Sequence, residues 1–329
     1  HARPGTKLTL EFRNLNNIYN GRPGSVANEL KALVLSEDGR RWTAVATRAL
    51  PENRVLLDLE MPGPKLFVAR VEPYRLSDLE VFLNSIRRDP RVAITEIGKT
   101  VEGRSLEMIR IGQAAAAHRI FLRARAHPWE SGGNWVLQGF IRRLLMDDPT
   151  SKAFLRRHSV YVLPMANKDG VARGRTRFNS NGKDLNRDWE RPADARLAPE
   201  NHALEQWLEK MIADGLRPEL ALELHNDGNG LLHWSHAPER MAPRYRDRMQ
   251  RLENLLRQHT WFREGSRKNR QNFGTLADGW VERYGIDALV HEFNCQWSAG
   301  LERTPLGADW EQYGGNLLRV FEDYFAASN

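Results

Sequence analysis

The first seventy residues show the period-two alternation of half-buried β-strands. Leu8, Leu10 and Phe12 alternate with polar neighbours, which places the three apolar side chains on one face of a strand. Further short apolar runs follow, separated by turn-rich pieces at 21–24 and 61–64. These runs predict strands at Glu29–Leu35, Arg41–Ala46, Arg54–Leu59 and Lys65–Val71. The pattern therefore predicts a small N-terminal β-sandwich domain over residues 1–74.

The pattern changes near Pro73, where helical and strand periods begin to mix. Ser77 followed three residues later by Glu80 predicts the start of a helix with a capping box. Later strands are predicted at Ile120–Ala126, Val160–Met165, Leu220–Leu224 and Ala288–Phe293. Helices are predicted at Asn134–Met146, Pro199–Ala213, Ala242–His259 and Trp310–Phe325. This alternation predicts an α/β domain over residues 75–329, with a mixed central sheet and helices on both faces.

Length and charge narrow the classes of protein that remain. A chain of 329 residues suits one large domain and a small one. The 49 basic and 42 acidic residues give a modest +7, and no basic tail or zinc-finger spacing predicts a nucleic-acid partner. No apolar run approaches the ~20 residues of a membrane span. The single Cys295 excludes an intramolecular disulfide.

The first residue also leaves the compartment open. The chain begins at His1 and not at a methionine. Removal of a signal peptide would place the protein in the periplasm or outside the cell, whereas an omitted start would be compatible with the cytoplasm.

The chain contains three His-x-x-Glu pairs, a spacing that occurs often in metal sites but also by chance. They are His127/Glu130, His202/Glu205 and His236/Glu239. The second pair lies within a predicted helix, where a solvated pair is the simpler interpretation. His236 and the nearby His233 could hold a metal, but a loop histidine near a helix start usually has a structural role. Sequence context therefore favours His127/Glu130 as the metal-binding pair.

His127 differs because it directly follows a predicted strand and precedes the glycines that lead into a helix. His225 ends another predicted strand, and Glu292 lies near the end of a third. In α/β sheets, ligands bind beyond the carboxyl ends of the strands. Two histidines and one glutamate bind zinc and leave a position open, and a further carboxylate can take a proton from water. If these strands are parallel neighbours, the sequence predicts a catalytic zinc site at their edge.

A long polar segment adds to this candidate site. It contains Asn167–Val171, then Arg177, then Gly182–Trp189. Long loops in compact domains are often functional, and arginine is suited to binding a carboxylate with two parallel hydrogen bonds.

Together these segments resemble the M14 zinc carboxypeptidase family, most closely its cytosolic-carboxypeptidase branch. The matching segments occur in the family's order and extend from about Pro73 to the C-terminus. They are Gly98–Leu106, His127-Pro128-Trp129-Glu130, Asn167-Lys168-Asp169-Gly170, Asp184-Leu185-Asn186-Arg187, His225 and Glu292. The first seventy residues look like the β-sandwich that precedes the catalytic domain in this branch.

The resemblance implies a metal centre with one zinc ion per chain. His127, Glu130 and His225 would be the ligands. Glu292 would be the general base, and then the acid that protonates the leaving amine. Asp184 would accept a hydrogen bond from His127 and fix its tautomer.

The resemblance also implies a substrate, namely the C-terminus of a peptide or protein. Arg177 would polarise the scissile carbonyl and stabilise the oxyanion. Asn186 and Arg187 would hold the terminal carboxylate. Charged recognition of that carboxylate would restrict cleavage to the last bond of the chain.

Two positions depart from the family's pattern. Asn269 stands near the place of a tyrosine on a mobile loop, and no tyrosine lies between Tyr245 and Tyr284. His225 is followed by Asn226-Asp227-Gly228, where Gly-His is more common. The loop before the last strand also carries Arg267, Lys268 and Arg270, which would favour an acidic substrate group if they faced the pocket and are otherwise solvated surface residues.

Two other functions remain possible on the sequence alone. An amidohydrolase of the same fold, like aspartoacylase and the desuccinylases, would act on an N-acyl amino acid. The 99–106 and 167–170 segments favour the peptidase over this alternative. A non-catalytic binding module would be expected to have lost the base or a ligand, and all four side chains are present.

Overall fold

The N-terminal part of the chain consists of short strands. A computed structural model describes residues 2–19, 22–239, 241–268 and 274–326. The first eight strands are β1 (Lys7–Phe12), β2 (Asn16–Tyr19), β3 (Arg22–Ser25), β4 (Ala32–Ser36), β5 (Thr43–Ala46), β6 (Arg48–Leu50), β7 (Arg54–Glu60) and β8 (Phe67–Ala69).

These strands form two three-stranded antiparallel sheets and one hairpin. Strand β7 pairs with β1 and β6, β4 pairs with β5 and β8, and β2 pairs with β3. Leu33 on β4 shares one buried cluster with Val55 and Leu57 on β7. Burial of these side chains between the two larger sheets confirms the predicted sandwich.

Two local predictions in this part are wrong. Arg22–Ser25 forms β3 and pairs with β2, although its glycine and proline predicted a turn; Gly21 lies outside the described residues. The predicted strand Glu29–Leu35 begins only at Ala32, because Ala27–Glu29 forms a single 3₁₀ turn. Gly and Pro are compatible with the edge of a two-stranded hairpin, where one side of the strand needs no partner.

The remaining elements alternate between helices and strands. The helices are α1 (Leu76–Ile86), α2 (Gly132–Leu144), α3 (Pro149–Arg157), α4 (Lys168–Ala172), α5 (Pro199–Ala213), α6 (Ala242–His259), α7 (Leu276–Tyr284) and α8 (Gly307–Ala326). The strands are β9 (Val92–Lys99), β10 (Ser105–Ile111), β11 (His118–Ala124), β12 (His158–Leu163), β13 (Leu220–Asp227), β14 (Leu232–Trp234), β15 (Ser266–Arg267) and β16 (Asp287–Asn294).

One mixed eight-stranded sheet forms the centre of the molecule. Its order is β15-β14-β16-β13-β11-β12-β10-β9. The middle four strands, β16, β13, β11 and β12, are parallel to their neighbours within this group, while β14, β10 and β9 run antiparallel to an adjacent strand. The predicted mixed sheet is confirmed, and the four parallel strands bring their carboxyl ends to one edge.

Helices cover both faces of this sheet, as predicted. On one face Phe140 of α2 packs against Phe321 of α8, with ring centroids 5.4 Å apart. On the other face Phe121 of β11 packs against Trp207 of α5 and Trp280 of α7. No helix within the described ranges is long and apolar enough to cross a bilayer.

The first helix begins earlier than its predicted cap. Helix α1 starts at Leu76, and the backbone N–H of Arg75 donates to the carboxylate of Asp78 at 2.7 Å. The capping box predicted at Ser77 and Glu80 is therefore wrong by two residues. Arg75 and Ser77 are each followed three residues later by an acidic residue, so the sequence alone did not distinguish the two possible caps.

The N-terminal part of the chain contacts loops of the second part directly. The backbone N–H of Lys31 donates to Oε1 of Gln296 at 2.7 Å. The guanidinium of Arg70 lies 3.9 Å from the ring centroid of Trp129 and also binds the Glu29 carboxylate at 2.7 Å. The sandwich is thus fastened to the segment that contains His127-Pro128-Trp129-Glu130.

We expect Gly314→Ala to destabilise the protein, because helices α2 and α8 approach closely at this glycine. An added Cβ would lie 1.9 Å from the carbonyl oxygen of Val136. Relief of such an overlap costs about 1–3 kcal/mol of unfolding free energy. Gly315→Ala is the matched control, since its Cβ would meet only Arg143 Cβ at 3.9 Å and would gain up to about 1 kcal/mol of helix propensity. Denaturant unfolding of both variants measures the difference, and equal stabilities would contradict the close packing.

Candidate metal centre

Three neighbouring parallel strands place His127, His225 and Glu292 at one edge of the sheet. His127 follows β11 by three residues, while His225 and Glu292 lie near the ends of β13 and β16. Strand β13 pairs with β11 on one side and with β16 on the other. His225 and Glu292 are direct partners in the register. The strands are therefore the parallel neighbours that the sequence analysis required.

A strained arginine directs the loop after β11 toward this edge. Arg125 adopts φ +63°, a left-handed conformation that non-glycine residues rarely occupy. Its buried guanidinium donates to the carbonyl of Pro128 at 2.8 Å, to the carbonyl of Tyr74 at 3.0 Å and to Oδ1 of Asn134 at 2.8 Å. Burial lowers the pKa of Arg125 to about 10, so it remains charged at neutral pH. These bonds hold the loop that carries His127.

The donor atoms of His127, Glu130 and His225 converge. Nδ1 of His127 lies 2.9 Å from Oε1 of Glu130, and Nδ1 of His225 lies 2.6 Å from Oε2 of Glu130. The two Nδ1 atoms are 3.1 Å apart. A tetrahedral zinc ion with bonds near 2.0–2.1 Å separates its ligand atoms by about 3.3 Å. The three side chains therefore fit a zinc ion with a fourth position free for water or substrate.

The pKa shifts of Glu130 and His225 also favour a cation between the three side chains. Burial alone would raise the pKa of Glu130, but the histidines outweigh burial and lower the pKa to about 2. Burial opposes a charge on His225, yet the carboxylates of Glu130 and Glu223 raise its pKa well above the ordinary value. A site that attracts a proton so strongly can accept a cation in its place.

Asp184 connects His127 to Arg177. Its Oδ1 lies 3.1 Å from Nε2 of His127, and its Oδ2 accepts from Nε of Arg177 at 2.8 Å. Burial opposes its charge, but the hydrogen bond and charge of His127, together with Arg177, hold the pKa of Asp184 well below its usual range. An anionic Asp184 favours the tautomer of His127 whose Nδ1 is free to bind a metal.

Asp184→Asn should weaken metal binding without removing a ligand. The amide keeps nearly the same shape but loses the charge that orients His127 and balances Arg177. Loss of such an outer partner typically lowers metal affinity by about 10- to 100-fold. Competition with a fluorescent zinc chelator measures the change. Asp38→Asn, an exposed carboxylate in the N-terminal part, is the control and should leave the affinity unchanged.

A buried ion pair behind His225 was missed by the sequence analysis. Nε2 of His225 lies 3.1 Å from Oε1 of Glu223, which also accepts from Nε of Arg123 at 2.9 Å. The side chains of Glu223 and Arg123 are 0% and 1% exposed, respectively. Glu223 precedes His225 by two residues and so points to the same face of β13. Charged residues inside the apolar runs 120–126 and 220–224 were the signal that could have revealed them.

Glu292 is partly buried beside His225, its partner in the sheet register. Its Oε2 is buried and has no hydrogen-bond partner within the described part of the chain. Burial, assisted by the nearby negative charge of Asp227, raises the pKa of Glu292 well above its ordinary value. A carboxylate with a raised pKa is better suited to accept a proton from water near neutral pH.

The two residues predicted to hold the substrate carboxylate are positioned by neighbouring groups. Nδ2 of Asn186 lies 3.1 Å from Nε2 of His225, and its Oδ1 accepts from the backbone N–H of Leu276 at 2.8 Å. Arg187 donates to the carbonyl of Asn186 at 2.7 Å. Both therefore lie in the segment that packs against the metal centre, between α4 and α5.

Two of the segments that resemble the family, residues 98–106 and 167–170, meet around Asp169. Its carboxylate accepts from Oγ1 of Thr100 at 2.7 Å, from the backbone N–H of Glu102 at 2.8 Å and from Arg104 at 2.7 Å. Asn167, two residues earlier, accepts from the backbone N–H of Gly170 at 2.9 Å. These contacts hold the start of the polar segment that leads to Arg177 and Asp184.

The other two His-x-x-Glu pairs lie away from this centre. The solvated-pair interpretation of His202 and Glu205 is wrong, because Glu205 is 3% exposed and bonds Arg283 and the backbone N–H of Ala193. His236 is exposed. The loop residue Asn269 and the cation Arg270 lie outside the described residues.

The two remaining cations of that loop have defined surroundings. Arg267, on β15, pairs in register with His233 on β14. Lys268 donates to Oε1 of Gln250 at 2.6 Å and lies 4.9 Å from the ring centroid of Trp234. Lys268 is therefore held at the surface, whereas Arg267 belongs to the sheet edge beside His233.

A comparison with known families matches most of the described domain. The sequence profile of Peptidase M14, described as zinc carboxypeptidase, matches residues 79–307. Cytosolic carboxypeptidase 2 from Homo sapiens is 32% identical over 134 residues, which represent 37% of this chain. The same segment covers 15% of that much longer protein.

Solved structures of low sequence identity share the fold. A metallo-carboxypeptidase from Burkholderia cenocepacia superposes with a TM-score of 0.87 at 20% identity, covering 100% of this chain and 88% of that one. A metallo-carboxypeptidase from Pseudomonas aeruginosa, solved with (2-guanidinoethylmercapto)succinic acid, gives a TM-score of 0.80 at 20% identity over 98% and 87% of the two chains. The likeness extends through the N-terminal strands as well as the central sheet.

Proposed function

The chain belongs to the Peptidase M14 family of zinc carboxypeptidases, and from this premise we propose that it hydrolyses the C-terminal peptide or amide bond of a substrate with a free carboxylate. The observation that supports this most directly is the convergence of the donor atoms of His127, Glu130 and His225 beside Glu292. The arrangement supplies a metal site with an open position and a base on the adjacent strand.

His127, Glu130 and His225 would hold one zinc ion, with Asp184 orienting the first of them. A zinc ion there would polarise the scissile carbonyl and lower the pKa of water to about 7. Asp184 and Glu223 each accept from the Nε2 side of a ligand histidine, so both rings present Nδ1 to the metal. The protein thus determines which ring nitrogen binds.

Glu292 would take a proton from the attacking water and then deliver it to the nitrogen of the leaving amine. Its partly buried carboxylate, whose pKa is raised by burial, suits both steps because it can hold the proton between them. Arg177 would stabilise the negative charge on the carbonyl oxygen. The fork of Arg177 is already aligned by Asp184, which reduces the reorganisation needed when that charge develops.

Asn186 and Arg187 would bind the terminal carboxylate of a peptide or protein substrate. Arg187 is held by the carbonyl of Asn186, and Asn186 is anchored to Leu276. A charged hydrogen bond of this kind is strong in a partly buried site and is lost if the carboxylate is amidated. Cleavage is therefore restricted to the last bond.

We also infer that the chain folds as two units, residues 1–74 and 75–329. The separate buried cluster around Leu33 and Leu57 supports this division, because a domain has its own core. Tyr74 belongs to the larger core and bonds Gln138 at 3.0 Å, so the connection itself packs on the second unit.

The proposal is tested by metal analysis combined with hydrolysis of an N-blocked dipeptide. We expect dialysed protein to retain one zinc ion per chain and to release the C-terminal amino acid. A chelator should abolish release, and added zinc should restore it. The same dipeptide with an amidated C-terminus is the matched control and should remain intact.

Three results would contradict the proposal. Protein without bound zinc would remove the metal assignment. Equal cleavage of the amidated peptide would remove recognition of the carboxylate. Zinc-dependent hydrolysis of N-acyl amino acids, with no cleavage of dipeptides, would identify an amidohydrolase instead.

A further inference from the structure

A second cluster of metal-binding side chains lies beside the first. Within the described ranges, two groups of three such residues place one donor atom each within 4.8 Å of the others. The first is the zinc site of the proposed function. The second comprises Asp227, His233 and Glu292, and two of these three residues have no part in the proposed reaction.

The sheet register places these three residues on one face. Glu292 is opposite His225 on β13, and Asp227 follows His225 by two residues. On the other side of β16, His233 is opposite Val290, which precedes Glu292 by two residues. Side chains two positions apart in a strand point to the same face, and directly paired residues share that face. Glu292 therefore lies between Asp227 and His233.

Two atoms of this cluster are buried without a hydrogen-bond partner in the described part of the chain. They are Nε2 of His233 and Oε2 of Glu292. A buried polar atom left unpaired is destabilising, so such atoms require a compensating ligand or role. Two unpaired lone-pair atoms within one cluster of possible ligands provide a place for a cation.

The third ligand is positioned by a tight turn. Oδ1 of Asp227 accepts from the backbone N–H of Gly230 at 2.6 Å and from that of Asn229 at 2.8 Å. Among the described residues, its Oδ2 meets only the side chain of Asn229, at 3.4 Å, so this oxygen can serve as a ligand. The turn thus fixes the carboxylate through one oxygen and leaves the other available.

We propose that Asp227, His233 and Glu292 form a second site for a divalent cation, with zinc as the metal that best suits one imidazole and two carboxylates. Burial lowers the pKa of His233, which keeps its imidazole in the neutral form that binds metals. Arg267 lies beside His233 in the neighbouring strand, and its positive charge reduces the negative potential at the cluster. Two carboxylates still leave the cluster net negative, which favours a cation, while the positive charge of Arg267 makes the second ion bind more weakly than the first.

Occupation of this site has a consequence for catalysis that rests on the proposed function. Glu292 is shared between the second site and the reaction. A carboxylate bound to a cation loses the basicity needed to accept a proton. The second zinc ion therefore inhibits turnover at concentrations above those that fill the first site.

The test counts zinc ions bound to the full chain. Metal-free protein is titrated with zinc in a calorimeter, and bound metal is measured after equilibrium dialysis. We expect two ions per wild-type chain in two steps. Asp227→Asn with His233→Leu should bind one, since the asparagine oxygen still accepts the two turn hydrogen bonds while two metal ligands are lost. His236→Gln, which removes an exposed histidine nearby, should still bind two.

The single variants keep the test decisive if the double variant does not fold. Each single variant should weaken the second zinc-binding step by at least about 10- to 100-fold, which is the effect of losing an outer partner of a metal ligand. The first binding step should be unchanged. A single zinc ion on the wild type at millimolar metal would overturn the proposal, as would two ions on the double variant.

Rates of dipeptide hydrolysis separate this proposal from the function of the first site. In the wild type the rate should fall as the second ion binds, and in the double variant it should not. If one-zinc protein has no peptidase activity, the proposed function fails, while the zinc counts still decide whether the second site exists.

Discussion

Replacement of Glu292 by glutamine is expected to lower kcat by about 10²- to 10⁴-fold while zinc remains bound at the first site. The amide has nearly the shape of the carboxylate but cannot accept a proton from water. Glu292 is not one of the three converging donors of that site, although it is the register partner of His225. Retained metal with lost turnover therefore distinguishes a base from a ligand. Metal content and steady-state kinetics on a blocked dipeptide provide the two measurements.

Glu239→Gln is the matched control for this substitution. Glu239 is exposed and lies outside both metal clusters, so its variant should keep the wild-type kcat and one tightly bound zinc. A Glu292→Gln enzyme with more than a tenth of the wild-type kcat would contradict the role of the base. Loss of zinc from this variant would instead assign Glu292 to the metal shell.

The second large effect is expected from Arg123→Met. This substitution leaves Glu223 buried beside His225 without its cation. Removal of one partner of a buried pair typically costs about 3–5 kcal/mol, since the other charge remains desolvated. We expect the unfolding free energy to fall by this amount and the zinc affinity to change as well, because Glu223 orients His225. Denaturant unfolding with and without zinc measures both effects.

Arg142→Met provides a control with the same change of residue. Arg142 pairs with Glu311 at 2.8 Å, but its side chain is 57% exposed. Exposed pairs contribute about 0–1 kcal/mol, so the control should lie within that range. Adding Glu223→Gln to Arg123→Met should recover part of the loss, since no unpaired charge then remains. Equal losses of unfolding free energy in the two arginine variants would show that the buried pair stabilises the protein no more than the exposed one.

The sequence predicted the helices with clear ends and the strands with continuous apolar runs. Helices α5 and α6 have the predicted bounds, and each has a proline in its first turn that marks where the helix begins. Strands β13 and β16 were found because their apolar runs are buried on both faces, as in a parallel sheet. Their order in the sheet could not be read from the sequence, since it depends on packing between distant segments.

Strands β9 and β10 were not predicted, and the reason is physical. They form the antiparallel edge of the sheet, where β9 mixes half-buried and exposed positions without regular alternation. The register between them also shifts at Leu106 and Glu107, which breaks the period-two pattern. Local sequence patterns carry little information about such edges.

The residues of the candidate centre divide in the same way. His127, His225 and Glu292 could be proposed from their positions at strand ends, which a local reading provides. Arg123 and Glu223 could not be paired, because their contact depends on which strands are neighbours. Asp227 and His233 likewise meet only through the placement of β16 between their strands.

The contact of Arg70 with Trp129 and Glu29 also links the thermodynamics of the two parts of the chain. Trp129 lies between two of the proposed zinc ligands, and Glu29 packs against Gly228, three residues after His225. The sandwich therefore contacts both the loop that carries His127 and Glu130 and the turn that follows β13. A metal that binds only the folded centre raises the free energy of every unfolding step that disrupts these contacts. Heat-induced unfolding should then occur as one cooperative transition, and zinc should raise the melting temperature of the N-terminal strands although none of them carries a proposed ligand.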